Sequence, residues 1–117
     1  MTNIYGIPNC DTIKKTLDWF KAHKIDFTFH NYKTEGITAA KLKEWCKLTD
    51  WQLLLNKKSS TWRNIDPATQ ATITTQAAAI KLMQQQTSII KRPVVEINGT
   101  ILTGHDEAAY TKQFLKK

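Results

Sequence analysis

The order of its strand-forming and helix-forming segments constrains this chain more than any other feature. Residues 2–6 have the composition of a strand that ends around Gly6 and Pro8, and apolar residues recur at helical spacing after Cys10. A second strand pattern follows at residues 27–31. Strand, helix and strand thus follow one another within about thirty residues, which favours two parallel strands joined by a crossover helix.

The last quarter of the chain predicts a hairpin and a final helix. Residues 94–97 and 100–103 are rich in strand-forming side chains and flank Asn98-Gly99, a dipeptide typical of two-residue hairpin turns. Asp106 is expected to begin the final helix. That helix should direct three apolar side chains inward: Ala109, Phe114 and Leu115.

Between these parts, residues 34–88 carry repeated helix signals and no strand pattern. Thr38 and Asp50 are candidate N-caps, Asp66 precedes a proline at a first helical position, and residues 75–86 are rich in strong helix formers. No Gly/Ser/Pro linker isolates the segment, so we predict a helical insertion at about 34–88 within one domain, residues 1–117. The element order predicts an α/β thioredoxin-like fold with a mixed four-stranded sheet.

Composition indicates a compact globular protein. Of the 117 residues, 41% are hydrophobic and 23% are charged, which excludes wholesale disorder. No apolar stretch is long enough to cross a membrane, and the N-terminal segment lacks the pattern of a signal peptide. Two cysteines are too few for a disulfide framework. We therefore expect a cytoplasmic protein in a reducing compartment.

The net charge of +7 comes mainly from dispersed lysines, since only Arg63 and Arg92 are arginines. Scattered lysines are typical of a solvated surface, whereas base-reading interfaces prefer clustered arginines. We do not expect nucleic-acid binding. The same charge would attract a small anionic substrate, and we expect the chain to be a monomer.

Cys10 closes the turn between the first strand and the first helix, where Gly, Pro and Asn residues indicate a shaped loop. A thiol in this position faces unpaired N–H groups and the positive end of the helix dipole, and both stabilise a thiolate. Lys14 and Lys15 add positive charge one turn further on. We predict that Cys10 is a reactive nucleophile; the alternative is that it only begins the helix.

A dithiol redox motif is absent, because Ile13 stands three positions after Cys10. A reaction at Cys10 therefore needs another thiol, either Cys46 or an external one such as glutathione. Cys46 shares an amphipathic segment with Leu42 and Trp45, and we expect it to serve packing.

Arg92-Pro93 precedes the third predicted strand. In a thioredoxin-like fold Pro93 is expected to be cis and to pack opposite the reactive cysteine, which brings Arg92 close to Cys10. There the guanidinium would hold an anion or stabilise the thiolate. The alternative is a surface arginine at the entrance of a strand.

Two further positions are candidates for anion binding. Arg63 follows Trp62 at the end of a Ser/Thr run, 59–63, which indicates a loop whose hydroxyl groups meet an anion; the alternative is a capping loop with a packed tryptophan. His105 follows Gly104 and either approaches the site or lies on the surface. The cysteines and histidines lack the spacing of a zinc site.

Several segments together resemble the arsenate reductase-like (ArsC) family, which has a thioredoxin fold and includes the Spx regulators. Within it, the chain is most similar to the small YffB-type members, which are regarded as glutathione-dependent thiol reductases. The matching segments run almost from end to end: YGIPNCDTIKK, FHNYK, LLNKKSSTWRNI, KRPVVEINGTILTG and the closing helix.

The resemblance implies that Cys10 is the nucleophilic thiol and that Arg92 binds an oxyanion. Two other arginines of the arsenate reductases are missing, since this chain has Asn56-Lys57 and His105 at the corresponding places. Lysine and histidine do not reproduce bidentate guanidinium contacts. Arsenate is therefore not the expected substrate.

By this resemblance we expect a glutathione-dependent thiol reductase with no bound cofactor or metal. Glutathione is the expected co-substrate, glutaredoxin a second reductant, and a small oxidised thiol or an oxyanion the substrate. Arg63 and Lys57 would meet the negative charge of the bound molecule, and Asn9 would donate a hydrogen bond to it. The alternative is an Spx-like regulator that binds RNA polymerase without a redox switch, because Ile13 removes the C-x-x-C motif.

Overall fold

A four-stranded sheet organises the first and last parts of the chain. The computed structural model describes residues 2–8 and 10–115. Its strands are β1 (Asn3–Gly6), β2 (Thr28–Asn31), β3 (Val94–Ile97) and β4 (Thr100–Thr103), and they lie in the order β2-β1-β3-β4. β3 is antiparallel to both β1 and β4. The predicted mixed four-stranded sheet is confirmed.

The helices fall at most of the predicted places. A 3-10 turn at Thr87–Ile89 and a π-helical turn at Thr111–Leu115 accompany them. The α-helices of the described residues are α1 (Asp11–Ala22), α2 (Tyr32–Glu35), α3 (Ala39–Leu48), α4 (Trp51–Leu54), α5 (Ser60–Arg63), α6 (Pro67–Gln70), α7 (Gln76–Gln85) and α8 (Glu107–Tyr110).

The chain divides into two compact units. The sheet unit comprises the chain up to His30 and from Arg92 onward, and the helical unit comprises Asn31–Lys91. The helical unit covers the segment predicted as an insertion, 34–88, while the single-domain organisation stays a prediction. Among the described residues, no helix combines the length and the hydropathy that a membrane crossing needs.

The core of the sheet unit is largely aromatic. Ile4 of β1 and Val95 of β3 are fully buried together with Phe20 of α1 and Tyr110 of α8. The ring centroids of Phe20 and Tyr110 lie 5.4 Å apart in a tilted arrangement. Because large rings bury the most apolar area, these contacts hold α1 and α8 against the sheet.

α1 approaches β1 closely at Gly6. Ile13 in the first turns of α1 is 2% exposed, and a Cβ atom at Gly6 would collide with the end of its side chain. A residue without a side chain is therefore needed at the end of β1 so that α1 can lie on it. This contact fixes the start of α1, where Cys10 stands.

The predicted hairpin between β3 and β4 is present. Asn98 and Gly99 form its turn with φ values of 46° and 78°, both in the left-handed region. Two consecutive positive φ values are the geometry of a type I′ turn, which Asn-Gly adopts at low cost. The turn joins Ile97 to Thr100, which are paired across the ladder.

In the helical unit, α3 packs against α7. Leu42 and Trp45 of α3 and Met83 of α7 are fully buried. Both helices have threonine N-caps: the hydroxyl of Thr38 accepts a hydrogen bond from the N–H of Lys41, and that of Thr75 accepts one from Ala78. The helix start predicted at Thr38 is thereby confirmed.

At residues 59–63 one of the two stated alternatives is wrong, and so is the prediction for Leu115. The run 59–63 is not a loop that offers its hydroxyls to an anion, because the Ser59 hydroxyl accepts from the Trp62 N–H and thereby starts α5; with Trp62 buried, this is the capping alternative stated above. Leu115 does not point inward; it is 40% exposed. The π-helical turn at the end of the chain shifts the spacing of apolar positions, so that Phe114 packs against the core instead.

Candidate active site

The strand register brings three loops to one end of the sheet. The end of β1, the start of β3 and the end of β4 lie side by side. β1 leads from this end to Cys10, β3 starts here after Arg92-Pro93, and β4 leads from here to His105. Three of the predicted site residues therefore share one end of the sheet.

Cys10 is the N-cap residue of α1. Its backbone is extended, with φ −112° and ψ 127°, and its carbonyl oxygen accepts the first hydrogen bond of the helix, from the Lys14 N–H at 3.0 Å. Its side chain makes no capping hydrogen bond to the described residues, is not in a disulfide and is partly exposed. A sulfur in this position is accessible and lies next to the helix terminus that favours negative charge.

A cavity of about 610 Å³ opens beside Cys10. Its apolar lining comes from Ile13 and Leu17 of α1, from Phe29 of β2, and from Pro8 in the segment between β1 and α1. Cys10 precedes all the lining positions of α1, so the thiol stands at the N-terminal end of this stretch. The volume lies within the range of about 300–1,000 Å³ that is usual for small-molecule sites.

The peptide bond between Arg92 and Pro93 is cis, as predicted. Pro93 is buried, and its carbonyl oxygen accepts a hydrogen bond from the Gly104 N–H at 2.8 Å. Arg92 is half-buried and does not line the cavity beside Cys10. A guanidinium binds carboxylates and oxyanions in a bidentate manner, which is the role predicted for Arg92.

His105 is held by contacts on both sides of its ring. Nδ1 lies 2.8 Å from the Thr16 hydroxyl on α1, and Nε2 lies 3.0 Å from a carboxylate oxygen of Glu107. The residue before His105 is also held, because the Tyr110 hydroxyl donates a hydrogen bond to the Gly104 carbonyl at 2.9 Å. Burial raises the pKa of this Tyr110 hydroxyl. His105 thus links α1 to the turn after β4, and an anion at Nε2 would compete with Glu107.

Two predicted anion-binding residues belong to the helical unit. The Lys57 ammonium lies 5.6 Å from the centroid of the Trp62 ring, which is a cation–π geometry. Arg63 is exposed in the last turn of α5. The Ser59 hydroxyl donates to the Asn56 carbonyl, and the Thr61 hydroxyl is hydrogen-bonded to Ser88. This segment therefore offers two cationic side chains, while the hydroxyls of Ser59 and Thr61 make hydrogen bonds within the helical unit. The remaining predicted contact, Asn9, lies outside the described residues.

Cys46 has a different environment from Cys10. It lies in α3 of the helical unit, and burial, followed by the negative charge of Asp50, raises the pKa of its thiol. A raised pKa reduces the thiolate fraction and so weakens the nucleophile. Within the described part of the chain, no cluster of His, Cys, Asp and Glu side chains is arranged to hold a metal ion.

The ArsC family model matches residues 5–113. The chain belongs to the ArsC family. A solved structure of a protein named YffB is 42% identical and has a TM-score of 0.91, covering 96% of this chain and 97% of its own. An ArsC-related protein from Brucella melitensis is 40% identical, with a TM-score of 0.77 and coverages of 99% and 95%. These matches establish the thioredoxin-like fold.

Two sequence relatives cover nearly the same length as this ArsC-family chain. A Haemophilus influenzae protein is 34% identical over 114 residues, which is 97% of this chain and 99% of that protein. The regulatory protein MgsR of Bacillus subtilis is 25% identical over 115 residues, with coverages of 97% and 90%. The chain is thus similar both to proteins related to arsenate reductases and to a regulator.

The apolar residues that line the cavity beside Cys10 were missed as site residues in the sequence. Leu17 and Phe29 were assigned to an ordinary helix face and an ordinary strand. A signal was present, because Ile13 and Leu17 follow Cys10 at spacings of three and seven and so share its helix face. Phe29 carried no such signal, since only the folded sheet brings β2 to this face.

Proposed function

We propose that this ArsC-family protein is a glutathione-dependent thiol reductase that acts as a cytoplasmic monomer, with Cys10 as its nucleophile. The observation that carries the proposal is the position of Cys10: it is a partly exposed cysteine at a helix N-terminus, makes no side-chain cap to the described residues, and borders a cavity of about 610 Å³. Thiols in such positions are the reactive ones in proteins. The similarity to a YffB protein supports the same assignment.

The proposed reaction is two successive thiol–disulfide exchanges. The Cys10 thiolate attacks the glutathione sulfur of a mixed disulfide; the substrate leaves as a thiolate that takes a proton from water, and Cys10 is glutathionylated. The thiolate of a second glutathione attacks this disulfide, releasing the Cys10 thiolate and oxidised glutathione. In the net reaction one free glutathione thiol and the mixed disulfide give the free substrate thiol and oxidised glutathione, so the sulfur of the incoming glutathione is oxidised as the substrate sulfur is reduced; glutaredoxin can replace glutathione in the second step.

An external thiol is needed because Cys10 lacks a neighbouring cysteine. Ile13, which stands where a C-x-x-C motif has its second cysteine, is buried against Gly6. Cys46, whose raised pKa disfavours the thiolate, is a poor resolving thiol. The monothiol route through glutathione agrees with both features.

Arg92 is proposed to bind a carboxylate of glutathione at the end of the sheet. Arg63, Lys57 and Asn9 are proposed as further contacts for negative or polar groups, while His105 is engaged by Thr16 and Glu107. Arsenate is not proposed as the substrate, because Lys and His provide fewer directed contacts than the arginines of arsenate reductases.

The test is turnover of the mixed disulfide between glutathione and 2-mercaptoethanol, with glutathione as reductant. Cys10→Ser should lower kcat/KM by about a thousandfold or more, because serine cannot form the mixed disulfide. Cys46→Ser is the matched control and should keep the wild-type value. Equal activity of wild type and Cys10→Ser would refute the proposal.

The similarity to a regulator raises RNA polymerase binding as a second candidate. We do not favour it, because Ile13 removes the dithiol on which a redox switch at this site would depend. A pull-down at physiological salt distinguishes the two. Our proposal predicts that polymerase subunits stay in the unbound fraction, and specific retention of a subunit would favour the regulator.

A further inference from the structure

We propose that the groove along α1 binds the polypeptide segment around an oxidised cysteine, so that the substrate of Cys10 is a glutathionylated protein or peptide. The α1 groove is the cavity beside Cys10, bordered by α1 and by Phe29 of β2. This inference rests on the proposed function and names its substrate class.

The length of the α1 groove is the first argument. Its α1 lining reaches from Asp11 to Lys21, and ten helical steps correspond to about 15 Å. An extended polypeptide rises about 3.3 Å per residue, so roughly four to five residues fit along this lining. A tetrahedral oxyanion would occupy only a small part of it.

The second argument is the apolar floor. Pro8, Ile13, Leu17 and Phe29 line the groove, and Leu17 and Phe29 are only partly buried. An oxyanion gains nothing from such a surface, because its stabilisation requires hydrogen bonds and charge. An apolar side chain close to a substrate cysteine would cover these residues and remove their exposed area from water.

The third argument is the charge along the rim. Asp11, Lys14, Asp18 and Lys21 line the groove, all are exposed, and their signs alternate. Within the described residues, no ion pair involves any of the four. Their charges sum to zero, so the groove does not select a small anion in the way the chain's net charge of +7 would. A polypeptide with side chains of both signs complements this rim.

The chemistry is that of the proposed function with the substrate specified. The Cys10 thiolate attacks the glutathione sulfur of the modified cysteine, the disulfide bond breaks, and the peptide leaves as a thiolate that is protonated by water. Glutathione then regenerates Cys10 and leaves as oxidised glutathione. The groove contributes by holding the peptide so that its disulfide lies next to Cys10.

The experiment measures kcat/KM of the 117-residue chain with three substrates. Two are synthetic ten-residue peptides with one glutathionylated cysteine and a neighbouring leucine; one has glutamate flanks and the other lysine flanks. The third is the mixed disulfide of glutathione and 2-mercaptoethanol. We expect kcat/KM for the better peptide to exceed that of the small disulfide at least tenfold.

Neighbouring lysines of α1 provide a matched pair of variants. Lys14→Glu changes the rim of the groove, whereas Lys15→Glu makes the same charge change at an exposed residue that does not line it. Lys14→Glu should shift the ratio of kcat/KM between the glutamate-flanked and lysine-flanked peptides at least fivefold toward the lysine peptide. Lys15→Glu should leave this ratio within twofold of wild type.

The outcomes separate the inference from the proposed function. If the small disulfide is reduced at Cys10 but peptides are no better and both variants keep the same ratio, the groove inference is overturned and the proposed function stands. If no substrate is reduced, the proposed function fails. Titration of either peptide with serine in place of cysteine then decides on the groove: NMR shifts at Leu17 and Phe29 support it, and their absence overturns it.

Discussion

The helices of the two units differ in how their first N–H groups are bonded. Each α-helix described in the helical unit has an N-cap side chain that accepts a hydrogen bond from the first turn: Asn31, Thr38, Asp50, Ser59, Asp66 and Thr75. In the sheet unit, α8 has the same arrangement at Asp106, whereas α1 begins at Cys10 without a capping bond to the described residues.

Under our proposal for Cys10, this difference marks a place where stability is given up for a reactive thiol. An N-cap hydrogen bond is worth about 1 kcal/mol, and α1 forgoes it although it is the longest helix of the described residues. Cys10, which we propose as the nucleophile, occupies this N-cap position. Such exchanges of stability for reactivity are typical of active sites.

The largest effect on stability is expected at the contact between Gly6 and Ile13, which fixes the start of α1. Gly6→Ala should lower the free energy of unfolding by about 1–3 kcal/mol, because the new methyl group collides with Ile13. Ile13→Val removes the colliding methyl group, so the double variant should lose less than the sum of the single losses. Urea denaturation measures all three, and simple additivity would contradict the close contact.

In the helical unit, the capping threonines are the next test. Thr75→Ala should lower the free energy of unfolding by about 1 kcal/mol, because the Ala78 N–H loses its partner. Thr74→Ala, at an exposed neighbouring position, is the control and should change stability by less than about 0.5 kcal/mol. Equal losses for the two variants would show that this cap is not stabilising.

At Cys10, in contrast to Thr75, a substitution can add an N-cap instead of removing one. Cys10→Ser should be more stable than Cys10→Ala by about 0.5–1 kcal/mol, because serine supplies the missing cap while both variants lack the thiol. The stabilised serine variant should nevertheless be inactive. Chemical denaturation compares the two, and a serine variant no more stable than the alanine variant would mean that the start of α1 cannot be capped.

The smallest effect concerns the second cysteine. Asp50→Asn removes a negative charge that raises the pKa of Cys46, so the pKa should fall and the thiolate fraction near pH 8 should rise. Asparagine keeps the N-cap acceptor that Asp50 provides to Gln52. In a Cys10→Ser background, alkylation of Cys46 should therefore become modestly faster at pH 8, with the difference vanishing at high pH. A slower reaction would contradict the assigned cause.

Features with a local signal were predictable from the sequence. Asn98-Gly99 specified its hairpin turn, and Asp66 before Pro67 specified a helix start, because each depends on the conformations of adjacent residues. The predicted strands also put Arg92-Pro93 and Cys10 at the same end of the sheet, as the register has them, whereas the place of His105 had been left open. These parts needed no knowledge of side-chain packing.

The remaining features depend on contacts between distant residues. The role of the run at Ser59 was left open between two alternatives, because a Ser/Thr run suits both a loop and a helix start. The contact between Thr16 and His105 joins residues 89 positions apart, and the cavity exists only once Phe29 lies beside α1. No short-range pattern encodes such contacts, so the sequence alone did not predict them.

The central claim is that Cys10, and not Cys46, is the thiol that exchanges with glutathione. The protein should be exposed to oxidised glutathione near neutral pH, digested after quenching and examined by peptide mass spectrometry. The account predicts a glutathione adduct on the peptide that contains Cys10, formed well before any adduct on Cys46. Preferential modification of Cys46, or no adduct on Cys10, would contradict it.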